Sequence, residues 1–179
     1  EFAYMGGGVG ILDINNDGLL DIYICKVGHP KTEKTNNQFL ICKGIDKQGI
    51  PFYKDEANAF GLDFAGYSTQ AVFFDYDGDA DLDMFLLNHS VNHDGRFAPR
   101  KFFLNTFDSI AGQKLYRNDI SKDARGNTSI NFTDVTKQAG INGSRIGYGL
   151  GVAVADINLD GWPDFYVGND FHENDYLYI

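Results

Sequence analysis

Basic residues are scarce in this chain of 179 residues: 15 Lys and Arg stand against 25 Asp and Glu, a formal net charge of -10. A nucleic-acid ligand needs clustered cations to displace the counterions of phosphate, and no such cluster occurs. No apolar run approaches the ~20 residues of a membrane-spanning helix. With only two cysteines there is no Cys-rich zinc pattern, and neither a Gly-rich phosphate loop nor a nucleophile elbow is present. Prolines number four, so few positions bar a strand, while 21 glycines and 15% aromatic residues suit a turn-rich, strand-rich protein better than a helical one. An initiator Met and a signal peptide are lacking too, and the chain closes on the strand-like run Tyr176-Leu-Tyr-Ile179; the expectation is a segment of something longer.

What the chain has in excess is one acidic turn, written three times. Asp13-Ile-Asn15-Asn-Asp17-Gly18-Leu19-Leu-Asp21, Asp75-Tyr-Asp77-Gly-Asp79-Ala80-Asp81-Leu-Asp83 and Asp156-Ile-Asn158-Leu-Asp160-Gly161-Trp162-Pro-Asp164 align without a gap. Oxygen side chains at positions 1, 3, 5 and 9 can converge on one hard cation, position 7 can add a backbone carbonyl (Leu19, Asp81, Trp162), and Gly at position 6 permits the reversal. Transition metals favour His or Cys instead. The expected ligands are therefore Asp13, Asn15, Asp17, Leu19 and Asp21; Asp75, Asp77, Asp79, Asp81 and Asp83; and Asp156, Asn158, Asp160, Trp162 and Asp164, around three calcium ions. Ala80 departs from Gly at position 6, and a distorted turn is expected there.

A metal-free turn is the competing reading, because Asp, Asn and Gly are ordinary turn formers. Against it stands the repetition. Positions 1, 3, 5 and 9 of the three loops carry ten carboxylates, and in register these would repel one another without a counter-ion. Three calcium ions would cancel six of those charges, so most of the acidity belongs to the sites. The loops resemble that of an EF-hand, but position 12, where a bidentate Glu is required, holds Ile24, Leu86 and Val167. The same position separates them from a dockerin-type loop, which runs on as a helix.

Short β-branched or aromatic runs flank each loop: Gly10-Ile-Leu and Ile22 to Cys25, Ala71 to Phe74 and Met84 to Leu87, Val152 to Ala155 and Phe165 to Val167. These read as strands buried on both faces, so each loop joins two strands. A Leu-bearing strand follows (Gln38 to Cys42, Lys114 to Asn118, Asp175 to Ile179). Then comes an aromatic-x-Asp segment ending in Gly and an aliphatic residue, Tyr53-Lys-Asp55 to Gly61-Leu62 and Phe132-Thr-Asp134 to Gly140-Ile141. Four strands per unit is the count of a propeller blade. Asp13 and Asp75 lie 62 residues apart, Asp75 and Asp156 lie 81 apart, and most of the difference falls in an enlarged loop over residues 88–112. The units are expected at 1–62, 63–141 and 142–179, the third truncated.

Gly6 and Gly8, Ser68 and Gln70, and Gly149 and Gly151 recur seven and five positions before the first Asp of each loop. That alternation marks a strand face with little space, as on innermost strands around a channel, into which Gln70 is expected to look. Cys25 and Cys42 fall on neighbouring strands. The loop between them leaves the register open, so a cross-strand disulfide and two buried thiols are both compatible with the sequence.

With Gly147-Tyr-Gly-Leu-Gly-Val-Ala-Val-Ala155 before the third loop, the D-x-[DN]-x-D-[GA]-x-x-D pattern resembles the FG-GAP or VCBS repeat of integrin-α-type β-propellers. Within that group, Gly66 to Ala71, Leu86-Leu-Asn-His-Ser90 and Gly168-Asn-Asp-Phe-His-Glu-Asn-Asp-Tyr-Leu-Tyr178 resemble bacterial relatives of cartilage acidic protein, the ASPIC/UnbV group. The resemblance implies an all-β protein of four-stranded antiparallel blades, about three here of a ring commonly of seven. It also implies calcium between the first and second strands, and a secreted or surface-anchored protein, here of a bacterial envelope. The remaining blades would come from other sequence or another chain, and the family's C-terminal ASPIC segment is absent from these residues.

Three functions fit these observations. The first is a non-enzymatic extracellular module that binds a protein or glycan through the loops after each second strand, with Phe97, Arg100, Phe102 and Phe103 of the enlarged loop as contact residues. The second is an enzyme, hydrolase or lyase, drawing on His89, His93 and Asp94 or on Asp170, His172 and Glu173 among the same loops. The third is a purely structural part of a surface assembly.

Overall fold

Side-chain alternation decides this architecture. In the computed structural model, which describes residues 7–31, 34–91, 99–122, 128–171 and 173–179, the chain forms antiparallel sheets joined by loops. The first contains β1 (Val9–Leu12), β2 (Asp21–Ile24), β3 (Gln38–Ile45) and β4 (Pro51–Asp55), hydrogen-bonded in that order. A helix of a single turn, Ala57–Phe60, follows β4 and is closed by Gly61 at φ 77°. The second sheet takes β5 (Ser68–Phe74), β6 (Asp83–Asn88) and β7 (Lys114–Asn118). A small hairpin follows, β8 (Ser121–Lys122) and β9 (Thr128–Ser129), which no pattern in the sequence announces, and β10 (Phe132–Asp134) completes the sheet. The third sheet has three strands among the described residues, β11 (Gly149–Ala155), β12 (Asp164–Asn169) and β13 (Tyr176–Tyr178).

Register repeats as faithfully as sequence. Ile22 opposes Leu40, Met84 opposes Tyr116 and Phe165 opposes Tyr178, each pair one residue past the last Asp of its acidic turn. The fourth strands repeat as well, with Asp55 opposite Leu40 and Asp134 opposite Tyr116. After each fourth strand a Gly with positive φ (Gly61 at 77°, Gly140 at 69°) turns the chain so that Leu62 or Ile141 enters the core.

The middle sheet is covered on both sides. Successive residues of β6 point to opposite faces: Met84 and Leu86 join Tyr23, Phe39 and Leu62 in a core shared with the first sheet, while Phe85 and Leu87 join Leu115, Phe165 and Val167 in a core shared with the third. All six residues of β6 are buried, which is why it reads as a continuous apolar run rather than an alternating one. Aromatic pairs fix these cores laterally, Tyr23 edge-on to Phe39 at 5.5 Å and Phe85 tilted against Phe165 at 4.8 Å.

The first strands β1, β5 and β11 lie side by side. A Cβ on Gly8 would stand 2.6 Å from the Thr69 carbonyl, and one on Gly149 would stand 2.4 Å from Leu87 Cδ1, so small residues are required at these two positions. At Gly151 a Cβ would meet nothing within 4 Å. Gln70 borders a depression of about 330 Å³ between these strands, beside Gly8 and Gly149. Gly6 lies outside the described residues. The two cysteines are free. Pairing of Ile24 with Gln38 and Ile22 with Leu40 puts them at opposite ends of the β2–β3 ladder, about 16 Å apart at the usual strand rise.

Candidate metal centres

Each acidic turn spans the gap between the first and second strands of its sheet and folds around the carboxylate at position 1. Asp13 accepts the N–H of Asp17 at 3.0 Å on Oδ1 and of Gly18 at 2.8 Å on Oδ2. Asp156 accepts those of Asp160 (3.1 Å) and Gly161 (3.0 Å) in the same way, and Asp75 those of Asp79 (3.1 Å) and Ala80 (3.0 Å). The carboxylate at position 5 accepts the N–H of position 7, Asp17 from Leu19, Asp79 from Asp81 and Asp160 from Trp162. With N–H groups turned inward onto position 1, the turn curls around a cluster of oxygens.

Two positive-φ residues per loop make that curl possible. At position 6, Gly18 (83°), Ala80 (72°) and Gly161 (92°) share one conformation, so the Ala80 turn is strained rather than rearranged. Position 4 is left-handed as well, at Asn16 (55°), Gly78 (78°) and Leu159 (60°). The sequence hides this second reversal, since a β-carbon-bearing Leu in that region carries a cost of about 1 kcal/mol and no signature.

Position 9 differs from the rest. Asp21, Asp83 and Asp164 are buried. Asp21 accepts the Ile14 N–H at 3.0 Å and the Cys42 N–H at 2.8 Å; Asp83 accepts those of Tyr76 and Asn118, both at 2.7 Å. Asp164 accepts the Ile157 N–H at 2.8 Å. In the first two loops the residue expected only as a ligand therefore also pins its loop to the third strand, through Cys42 and Asn118. That long-range partner could not be read from spacing.

In the second loop, carboxylate oxygens of Asp75, Asp77 and Asp83 all lie within 4.8 Å of one another. Asp77 Oδ1 is buried without a hydrogen-bond partner, as is one oxygen of Asp81, a fifth carboxylate. Burial, and then the charge of Asp79, push the Asp77 carboxyl above its usual range; the same causes push Asp81 up to about 6. Burial also drives Asp83 up to about 6 despite its two backbone donors, and raises Asp21. Such a set has the chemistry of a hard-cation site: oxygens only, anionic, partly desolvated and short of donors. In the first and third loops Asn15 and Asn158 each donate to the position-5 carboxylate, at 2.9 and 2.8 Å, which relieves part of the repulsion.

The second-strand loops emerge away from the acidic turns and hold the other candidates. Arg100, in a 3-10 turn over Arg100–Phe102, donates through Nε to the buried Glu173 at 2.8 Å and so ties the enlarged loop to the third unit. Phe103 is buried, with the Arg145 guanidinium 5.9 Å from its ring centre. Phe102 stands 66% exposed. His89 is buried at the bridge to Tyr148, Nδ1 lying 3.3 Å from the Gly149 carbonyl and the ring edge-on to Tyr148 at 5.5 Å. Asp170 is exposed and accepts the Phe171 N–H. Phe97, His93, Asp94 and His172 lie outside the described residues. Among known proteins, no family model and no curated sequence matches this chain.

Proposed function

We propose that the chain is a calcium-binding β-propeller module of about three blades that works outside the cell, secreted or at a bacterial surface, and presents its second-strand loops to a protein or glycan partner without catalysing a reaction. The convergence of Asp75, Asp77 and Asp83 within 4.8 Å, with Asp77 Oδ1 unpartnered, is the observation that carries the calcium reading. The first and third loops share its internal hydrogen bonds, which supports one ion in each. Four-stranded antiparallel sheets packed face to face with their first strands adjoining support the propeller reading.

For the partner, the support is the contrast between the two ends. Loops of fixed length and repeated geometry occupy one, while the enlarged loop occupies the other, with Arg100 and Phe103 bracing it from beneath and Phe102 presented on top. A bound cation would supply rigidity here: it would draw together oxygens that the chain alone brings close but cannot neutralise. Calorimetric titration of calcium into chelator-treated protein tests the reading. Three equivalents of saturable uptake, with magnesium much weaker, are expected; no uptake and an unchanged melting temperature would overturn it.

A further inference from the structure

We infer that the hollow between Phe107 of the enlarged loop and the turn after β10 binds a hexuronate, a sugar ring that carries one carboxylate and several hydroxyls. The inference deepens the glycan arm of the proposed function and rests on it; the metal loops play no part.

The shared register makes Gln38 and Lys114 counterparts, and likewise Asp55 and Asp134, and Asn58 and Lys137. In the first unit the two varying positions carry amides, each satisfied by a carboxylate: Gln38 Nε2 donates to Asp55 at 3.0 Å and Asn58 Nδ2 to Asp63 at 2.8 Å. A hollow of about 460 Å³ beside them is lined by polar groups, Lys26 and Lys34 included, and by no aromatic residue. In the second unit the same frame carries ammoniums. Lys114, its side chain only 9% exposed, donates to Asp134 at 3.2 Å, while Lys137 is exposed and has no carboxylate partner among the described residues. Between them a hollow of about 410 Å³ opens, bordered by Phe107, Lys114, Asp134, Thr136, Lys137 and Gln138. Two cations thus stand where the first unit has neutral groups, in a chain whose net charge is -10.

Phe107 supplies the wall. Its ring is 46% exposed and is held from behind by Gly143, where a Cβ would stand 2.5 Å from Cδ2 and whose carbonyl accepts the Asp108 N–H at 2.9 Å. The ammonium nitrogens of Lys114 and Lys137 lie 5.0 and 5.3 Å from the ring centre, so both charges converge on one aromatic wall. Asp134, its side chain 44% exposed, adds an acceptor. A multiply charged anion such as phosphate would meet that carboxylate as a like charge, and a neutral sugar would leave Lys137 unpaired. A hexuronate suits all three groups: its carboxylate pairs with Lys137, its hydroxyls donate to Asp134, and its C–H face lies on Phe107. The volume falls within the roughly 300–1,000 Å³ of small-molecule sites.

In calcium-containing buffer, saturation-transfer NMR on the whole chain compares methyl glucuronide with the neutral methyl glucoside. Saturable binding of the glucuronide is expected, about tenfold or more weaker for the glucoside, for Lys137→Gln and for Phe107→Ala, and retained in Lys137→Arg. Lys137 is exposed, so Lys137→Gln should leave the melting temperature unchanged, which separates lost binding from lost fold. No saturable binding, equal binding of the glucoside, an unaffected Lys137→Gln variant, or displacement by equimolar sulfate would each overturn the inference. A protein or neutral-glycan partner would show instead as capture that Phe102→Ala abolishes with no glucuronide bound, an outcome that retires the hexuronate and leaves the broader reading standing.

Discussion

The indole of Trp162 in the third acidic turn lies against the α-carbon of Gly78 in the second, so close that a Cβ on Gly78 would stand 2.7 Å from Cζ3. The two turns are therefore mechanically joined. Gly78→Ala should cost about 2 kcal/mol, combining the left-handed backbone at φ 78° with the clash. Urea denaturation measures it, and the Gly78→Ala/Trp162→Ala double variant should recover only the steric share.

Ala80 pays for its φ of 72° where its counterparts are glycine. Ala80→Gly should raise stability by about 1 kcal/mol, seen as a higher melting temperature with and without calcium. A drop in melting temperature would mean that the β-carbon contributes packing which outweighs the strain.

Position 9 and position 5 should differ even without metal. Asp21→Ala strands two buried donors, the N–H groups of Ile14 and Cys42, and should cost about 3 kcal/mol; Asp17→Ala removes exposed contacts and should cost about 1 kcal/mol or less. Equal losses in chelator-treated protein would show that Asp21 acts through the cation alone.

The metal-free chain should gain stability on mild acidification. Burial pushes the Asp83 and Asp81 carboxyls up to about 6, above the usual carboxylate value of 3.8, so between these values the folded state holds more protons than the unfolded one. Their contribution is full below about 4 and is lost as pH rises through 6. Chelator should accordingly depress the melting temperature strongly at pH 7.5 and much less at pH 5, while calcium affinity falls with acidification. A chelator effect of equal size at both pH values contradicts this.

On the enlarged loop, Phe102→Ala should abolish capture of the native partner and leave the melting temperature unchanged. Arg100→Ala should cost about 1–2 kcal/mol by leaving the Glu173 carboxylate buried and unpaired, the pair being discounted because Arg100 is 34% exposed. Capture that survives Phe102→Ala places the contact surface elsewhere.

Strands and acidic turns were legible in the sequence because both are local. Ile22 to Cys25 or Phe165 to Val167 announce a strand by composition, and D-x-[DN]-x-D announces the turn by spacing; burial on both faces does not hold throughout, since Ile11, Leu150 and Tyr166 are exposed. Long-range partners were not. Nothing near Asp83 signals the Asn118 N–H, 35 residues away, and nothing near Arg100 signals Glu173, 73 residues away. The sequence leaves the state of the cysteines open for a related reason: it marks neighbouring strands, but the ladder register that separates the two free thiols is set by pairing across the loop. Leu159 adopts a backbone its side chain disfavours, so propensity pointed away from the conformation found.

Because the side chains of β6 are divided between two neighbours, its burial is completed at the seams between sheets and not within one sheet. Met84 and Leu86 are buried against the first sheet, and Phe85 and Leu87 against the third, so each face of β6 depends on a different neighbour. Surplus length is then tolerated only away from the seams. The middle unit keeps its extra residues after Asn88, beyond the strand whose every side chain is already committed.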